Sequence, residues 1–400
     1  MLDLLAAFIF GVAAGIITGL TPGIHTNTVA ILAVGALPTL IKYFSFTAIG
    51  VFLSTMVVIH SFLDFIPALF LGAPDSDTAL GVLPGHRMLL KGEGYDALKL
   101  TVVGGIGAFV VGLILLPIFF IFVEKGYSLL EKFVVPIIIS FSIIFILLEP
   151  NLKKRLWALL IFLMAGSLGL IVLNNLNIKD ALFPMLSGLF GISTLMISMQ
   201  GKTKIVEQTF SNEIKFEFRD VWNYVKAALS SMLMSILPAL GSAQAAVISL
   251  AFAKQDKSGR DFLVIVGGIN TVSALFVLTT LYLIGRARTG VIAAMKQFLS
   301  VDFGTYLILM VASFAAVGIG AYLTLKLGKY FANKIQKLNY RKLSITIIIF
   351  ISILVTIFSG LIGLLVLAVS TGIGLLAPKV GCKRIHAMGC LVFPVIGYFI

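Results

Sequence analysis

Thr21-Pro22-Gly23-Ile24-His25-Thr26-Asn27-Thr28 interrupts an otherwise apolar stretch that runs from Leu4 to Ile41. Proline lacks a backbone N–H and its ring clashes with the preceding turn, while glycine frees the backbone, so one helix does not run through this octet. The stretch reads as two short helices joined at a broken tip, a helical hairpin. A second apolar stretch, Val221 to Ala253, is interrupted by Leu237-Pro238-Ala239-Leu240-Gly241-Ser242-Ala243-Gln244 and reads the same way.

The surroundings decide the medium of these hairpins. Hydrophobic residues make up 59% of the 400-residue chain and charged residues only 12%, against roughly 25% charged in a soluble domain. Apolar runs of about 20 residues, enough to cross a hydrocarbon core of about 30 Å, recur along the whole length. Full spans are expected at 44–63, 101–123, 133–148, 156–173, 181–199, 262–284, 303–325, 343–358, 361–376 and 386–400. The first apolar run lacks a basic leader and a small-residue cleavage site, so it does not read as a signal peptide. Cys382 and Cys390 have no metal-ligand spacing and read as packing residues.

The two interruptions mark an internal repeat. Gly72 follows Pro22 by 50 residues and Gly285 follows Pro238 by 47. An all-α, polytopic fold is expected: a first repeat over 1–200, a cytoplasmic linker over 201–220 and a second repeat over 221–400, each with about five spans plus a broken hairpin. An odd number of crossings plus a returning hairpin makes the second repeat inverted.

Charge agrees with that inversion. The net charge of +13 comes from short basic clusters between apolar runs, which positive-inside sorting explains better than nucleic-acid binding. Lys326, Lys329, Lys334, Lys337, Arg341 and Lys342 form one such loop, whereas its counterpart around Glu124, Lys125, Glu131 and Lys132 is balanced. Lys153, Lys154 and Arg155 fall on the same side as Lys379, Lys383 and Arg384, and so do Lys254, Lys257 and Arg260. The alternation places both termini outside a cell membrane that the chain crosses many times.

At a broken tip, the free N–H groups of one half-helix and the free carbonyls of the other need partners that lipid does not offer. An anion suits the N–H ends and a cation the carbonyl ends, as in many inverted-repeat transporters. Pro22, Gly23, His25, Thr26, Asn27 and Thr28 at the first tip, with Gly241, Ser242 and Gln244 at the second, are therefore candidate solute contacts. Helix capping competes with that role for each Ser, Thr and Asn. Thr26 and Asn27 also supply hard oxygens for a coupling cation, as do Asp75, Ser76 and Asp77 in a segment expected to be re-entrant or superficial. Asp64 and the intramembrane Asn270 join that set. Arg286 and Arg288 stand where the second half matches the aspartates; arginine binds carboxylate bidentately, so they are candidates for an anionic substrate or for pairing with aspartates across the repeat, against the plainer reading of a solvated loop-end pair.

Three stretches then carry a likeness. Gly19-Leu20-Thr21-Pro22-Gly23; Leu71-Gly72-Ala73-Pro74 with Leu83-Pro84-Gly85-His86-Arg87-Met88 and Lys91-Gly92-Glu93-Gly94; and Gly188-Leu189-Phe190-Gly191 resemble, in order and spacing, the large membrane subunit of the tripartite tricarboxylate transporter family. The resemblance implies import of a di- or tricarboxylate on a cation gradient, with a small membrane subunit and an extracytoplasmic binding protein as partners. This chain departs from the family at Ile24-His25-Thr26-Asn27, where a further Gly, Pro and Thr are usual.

The expectation is a secondary active transporter of a small organic anion, coupled to Na+ or H+, surrounded by lipid, with no cofactor, no metal and no nucleic-acid partner; a homodimer is compatible with it. A translocase for an anionic lipid such as a polyprenyl phosphate is the competing class, because helix tips bind phosphate as readily as carboxylate. An intramembrane enzyme is disfavoured, since no His-Glu-x-x-His or Gly-x-Ser-x-Gly spacing occurs.

Overall fold

A computed structural model describes residues 2–22, 25–72, 78, 82–131, 133–175, 178, 181–199, 206–210, 217–236, 259–335 and 340–399. Every regular element among the described residues is helical. Among the described residues, seven helical stretches are long and apolar enough to cross a membrane: Leu2–Leu20, Phe46–Leu71, Gly94–Val123, Leu152–Asn174, Arg260–Ile284, Phe303–Lys334 and Ser344–Val380. That differs from the ten spans expected. The stretches at Val135–Leu147, Leu182–Ile197 and Arg384–Gly397 are apolar but shorter.

Helix α1 (Leu2–Leu20) ends at the break, and α2 (Thr26–Gly35) and α3 (Leu37–Leu40) follow. The chain then returns to its start: Ser45 Oγ donates to Asp3 Oδ2 at 2.7 Å, and the rings of Phe10 and Phe44 are 6.3 Å apart. Helix α4 (Phe46–Leu63) continues through Asp64 into a π-helical turn, Pro67–Leu71. The segment from His60, expected to be re-entrant or superficial, begins as the buried end of a long helix, and His60, Ser61 and Asp64 are all buried.

Next come α5 (Val82–Leu90), α6 (Gly94–Glu131), α7 (Val134–Leu147) and α8 (Leu152–Leu170). A helical run of α9 (Leu182–Leu186), a π segment (Ser187–Ile192) and α10 (Ser193–Met199) follows. Then α11 (Phe218–Ile236), α12 (Arg260–Ile284), α13 (Gly290–Lys296), α14 (Phe303–Ile335), α15 (Tyr340–Val380) and α16 (Gly389–Phe399) complete the described helices.

Glycine contacts set how closely these helices approach. Gly11, Gly15 and Gly19 lie one turn apart on α1 and face Thr55, Ile59 and Leu63 of α4; a Cβ on Gly15 would lie 2.6 Å from Ile59 Cβ. This is the small-residue spacing that lets membrane helices pack backbone to backbone. It also shows α1 and α4 running in parallel. Gly104 against Val264, Gly112 against Val272 and Phe119 against Phe276 make α6 and α12 parallel, and Asn223 with Asp261 and Ser231 with Ile269 add α11. Gly50 with Leu309 and Phe62 with Gly320 align α14 with α4. Leu98 meets Gly328, Phe109 meets Phe314 and Phe120 meets Tyr306, so α6 and α14 are antiparallel. Helices α1, α4 and α14 therefore run one way, and α6, α11 and α12 the other.

Outward faces are apolar. Ile106, Val110, Ile114, Ile118 and Ile121 form an exposed stripe down α6, a pattern that is stable against lipid and unstable against water. Within α15, Gly360 has φ 67° and ψ −167°. A Cβ on Gly363 would lie 3.2 Å from Val355 Cγ1, although eight residues of straight helix rise about 12 Å. The chain therefore reverses at Gly360, between the stretches 343–358 and 361–376 that hydropathy separates.

Both cysteines are buried, and Cys382 Sγ donates to Lys154 O. Lys383 N–H donates to Glu149 Oε1 at 3.1 Å, so the clusters around Lys153 and Lys383 share one end of the bundle, as their charge requires. The described part of the linker is docked. Gln208 accepts from Gly94 N–H and donates to Leu89 O, fastening residues 206–210 to the turn between α5 and α6.

Candidate functional site

At the first break, His25 caps α2 from an extended backbone (φ −84°, ψ 149°). Its Nδ1 accepts the Asn27 N–H at 3.2 Å and lies 3.3 Å from Thr26 Oγ1. An amide N–H can only donate, so Nδ1 carries no proton in this geometry, and a neutral His25 holds its proton on Nε2.

The second half presents a similar start. Helix α12 closes on Gly285 at φ 62°, a left-handed conformation open to glycine, just as Gly72 closes the α4 stretch at φ 62°. Thr289 then caps α13, its Oγ1 accepting the Ile292 N–H at 3.3 Å. The two starts touch. Asn27 Oδ1 accepts the Val291 N–H at 3.1 Å, and a Cβ on Gly290 would lie 2.7 Å from Asn27 Cγ.

Around this junction lies a cavity of about 350 Å³, near the lower end of the roughly 300–1,000 Å³ typical of small-molecule sites. His25, Thr26 and Asn27 line it from the first tip, and Ser54, Val57, His60 and Ser61 from α4. Met234 of α11, Asn270, Ser273, Ala274, Val277 and Leu278 of α12, and Ser313 of α14 line it too, as do Arg288, Thr289, Gly290, Val291, Ile292 and Met295. Leu182 completes the lining. Ser54, Ser61 and Ser273 donate their hydroxyls to carbonyls three residues back, so their oxygens offer lone pairs. Arg288 supplies a guanidinium.

A buried polar cluster adjoins the cavity. Asn270 Nδ2 lies 3.0 Å from Asp64 Oδ2, 3.3 Å from Asp64 Oδ1 and 3.0 Å from Ser61 O. His60 Nε2 is 3.9 Å from Asp64 Oδ2, and the His60 and His25 rings are 5.9 Å apart.

Of the residues singled out in the sequence, His25, Thr26, Asn27, Asn270 and Arg288 share this one cavity. Pro22 sits in the turn before it. Arg286 is exposed and does not line it. Thr28 lies in the first turn of α2, its side chain outside what is described. Gly23, Asp75, Ser76, Asp77, Pro238, Gly241, Ser242 and Gln244 lie outside the described residues. Ser54, Ser61 and Ser313 had no individual signal, being single hydroxyls in apolar helices, a common pattern in membrane spans.

The profile of the tripartite tricarboxylate transporter TctA family matches residues 5–389. An uncharacterized protein of Methanocaldococcus jannaschii is 31% identical over 414 aligned positions that cover all of both chains. No solved structure matches.

Proposed function

Because the chain belongs to the tripartite tricarboxylate transporter TctA family, we propose that it is a permease that carries a small organic anion, a di- or tricarboxylate, across the cell membrane on a Na+ or H+ gradient. One observation carries the reading: a cavity where the interrupted tip of the first half, at His25–Asn27, abuts the start of α13 in the second half, with Arg288 beside it. A carboxylate entering there meets a guanidinium, which can bind it bidentately. Walls drawn from both halves let their relative motion open the cavity to either side in turn.

Two inverted repeats fit this proposal. The pair α1 and α4 and its counterpart α11 and α12 run in opposite directions, and both α4 and α12 lead to a left-handed glycine. A small membrane subunit and an extracytoplasmic binding protein are the partners we infer from a tripartite family, and both termini are assigned outside by the charge pattern.

Uptake of a labelled carboxylate panel into proteoliposomes, with and without imposed ion gradients, tests the function. Gradient-driven accumulation of at least one di- or tricarboxylate is expected. Absent or gradient-independent flux for every compound would overturn it.

A further inference from the structure

We propose that the last turns of α14 form a binding surface for anionic phospholipid headgroups, carried by Lys326, Lys329 and Lys334 and framed by Tyr322 and Tyr330.

These residues continue the face that α14 turns outward. Leu307, Val311 and Phe314 are exposed on it. Their spacing of four and three runs on through Gly318, where nothing lies within 4 Å of a Cβ, to Tyr322, Lys326 and Lys329, all exposed. An exposed apolar face on a spanning helix meets hydrocarbon, so the lysines at its end meet the layer that borders hydrocarbon. Length agrees. From Leu307 to Lys326 the helix rises about 28 Å, close to the roughly 30 Å of a hydrocarbon core. Lys326 therefore stands at headgroup depth, and Lys334 follows about two turns later.

The lysine side chains lean toward the bilayer. Lys326 Nζ lies over the Tyr322 ring and Lys334 Nζ over the Tyr330 ring, each 5.7 Å from the centroid. Each thus reaches back one turn toward the apolar part of α14, in the direction that helix side chains tilt, instead of extending into water. The ring faces hold the ammonium groups in place. Tyrosine is itself a residue of the membrane interface, and both rings are exposed.

The charge here is unbalanced. No Asp or Glu occurs from Phe303 to Ile400. Helix α6 meets α14 where Leu98 touches Gly328, and its nearby Asp96 pairs with Lys99. Arg341 and Lys342, exposed in the first turn of α15, follow α14 across a short connection and add to the positive patch. Such a patch attracts a headgroup of net negative charge, whereas a zwitterionic headgroup brings its own cation and gains less. Because the lysines continue a lipid-facing stripe, the partner is a lipid and not a soluble polyanion.

The test titrates the purified full chain in neutral detergent with phosphatidylglycerol and with phosphatidylcholine, counting bound lipid by native mass spectrometry. The unaltered protein should bind phosphatidylglycerol at least about fivefold more tightly, the attraction of a single lysine to an anionic surface. Lys326→Gln, Lys329→Gln and Lys334→Gln together should remove that preference, and Lys326→Gln alone should remove part of it. Lys42→Gln, Lys153→Gln and Lys379→Gln together, the same change in net charge at other exposed positions, should leave it. Equal affinity for the two lipids, an undiminished preference in the first triple variant, or an equal loss in the second would each overturn the proposal. Displacement of bound phosphatidylglycerol by inorganic phosphate at constant ionic strength would assign the patch to soluble phosphate and overturn it as well.

Discussion

Asn27 Oδ1 accepts the backbone N–H of Val291 at 3.1 Å, joining the first turn of α2 to the first turn of α13 across 264 positions of chain. The bond occupies an N–H that a short helix would otherwise leave unsatisfied. Asn27→Ala removes the acceptor and should lower stability by about 1 kcal/mol, whereas Asn27→Asp keeps an oxygen in place and should lose less. Gly290→Ala should mimic the loss by pushing a Cβ into Asn27. Thermal unfolding of the purified variants measures the order; an Asn27→Ala protein as stable as its parent would show that the bond does not hold the two halves together.

The glycine face of α1 supports a second expectation. A methyl at Gly15 would meet Ile59 Cβ at 2.6 Å and Met56 O at 2.9 Å, while at Gly318 of α14 nothing lies within 4 Å. Gly15→Ala should therefore cost about 1–3 kcal/mol through overpacking, and Gly318→Ala should be neutral or slightly stabilising. Equal unfolding temperatures for the two variants would contradict the close approach of α1 and α4.

These contacts show where the sequence could be read and where it could not. Length and hydropathy locate the long spans, and Pro22 locates the first tip, because both act within a few residues. The spacing of Gly11, Gly15 and Gly19 was equally local, but small residues declare a packing face only once the partner helix is known. Asp64 with Asn270, 206 positions apart, and Asn27 with Val291 depend on how the helices cross. No single-chain periodicity encodes that. Arg286 and Arg288 are two residues apart and chemically alike, yet the turn after Gly285 sends only Arg288 to the cavity.

Glu149, in the turn before α8, should make stability pH-dependent. It is 2% exposed. Burial by itself would push its carboxyl up, but the hydrogen bond from His386 and the Lys383 N–H bring it below the ordinary value of 4.5. A depressed carboxyl contributes stability that is fully present above the unfolded-state value and is lost as pH falls through the folded one. The unfolding temperature should thus decline below about pH 4.5 more steeply in the parent than in Glu149→Gln. Parallel curves for the two would mean that the turn at 149 does not depend on the ionised carboxyl.

Arg288 lines the cavity and Arg286 does not, so the pair separates a binding role from mere charge near the membrane. Hydrogen bonds to charged groups contribute about 1.5–3 kcal/mol, roughly ten- to a hundredfold in affinity. Arg288→Gln should raise the half-saturating concentration of a transported carboxylate by that factor. Arg288→Lys should recover only part, because a lysine ammonium does not reproduce the planar two-pronged contact. Arg286→Gln removes the same charge from an exposed position and should shift it little. Concentration series of carboxylate uptake in proteoliposomes read these values directly. Equal shifts for Arg286→Gln and Arg288→Gln would attribute the effect to surface potential and remove Arg288 from the solute contacts.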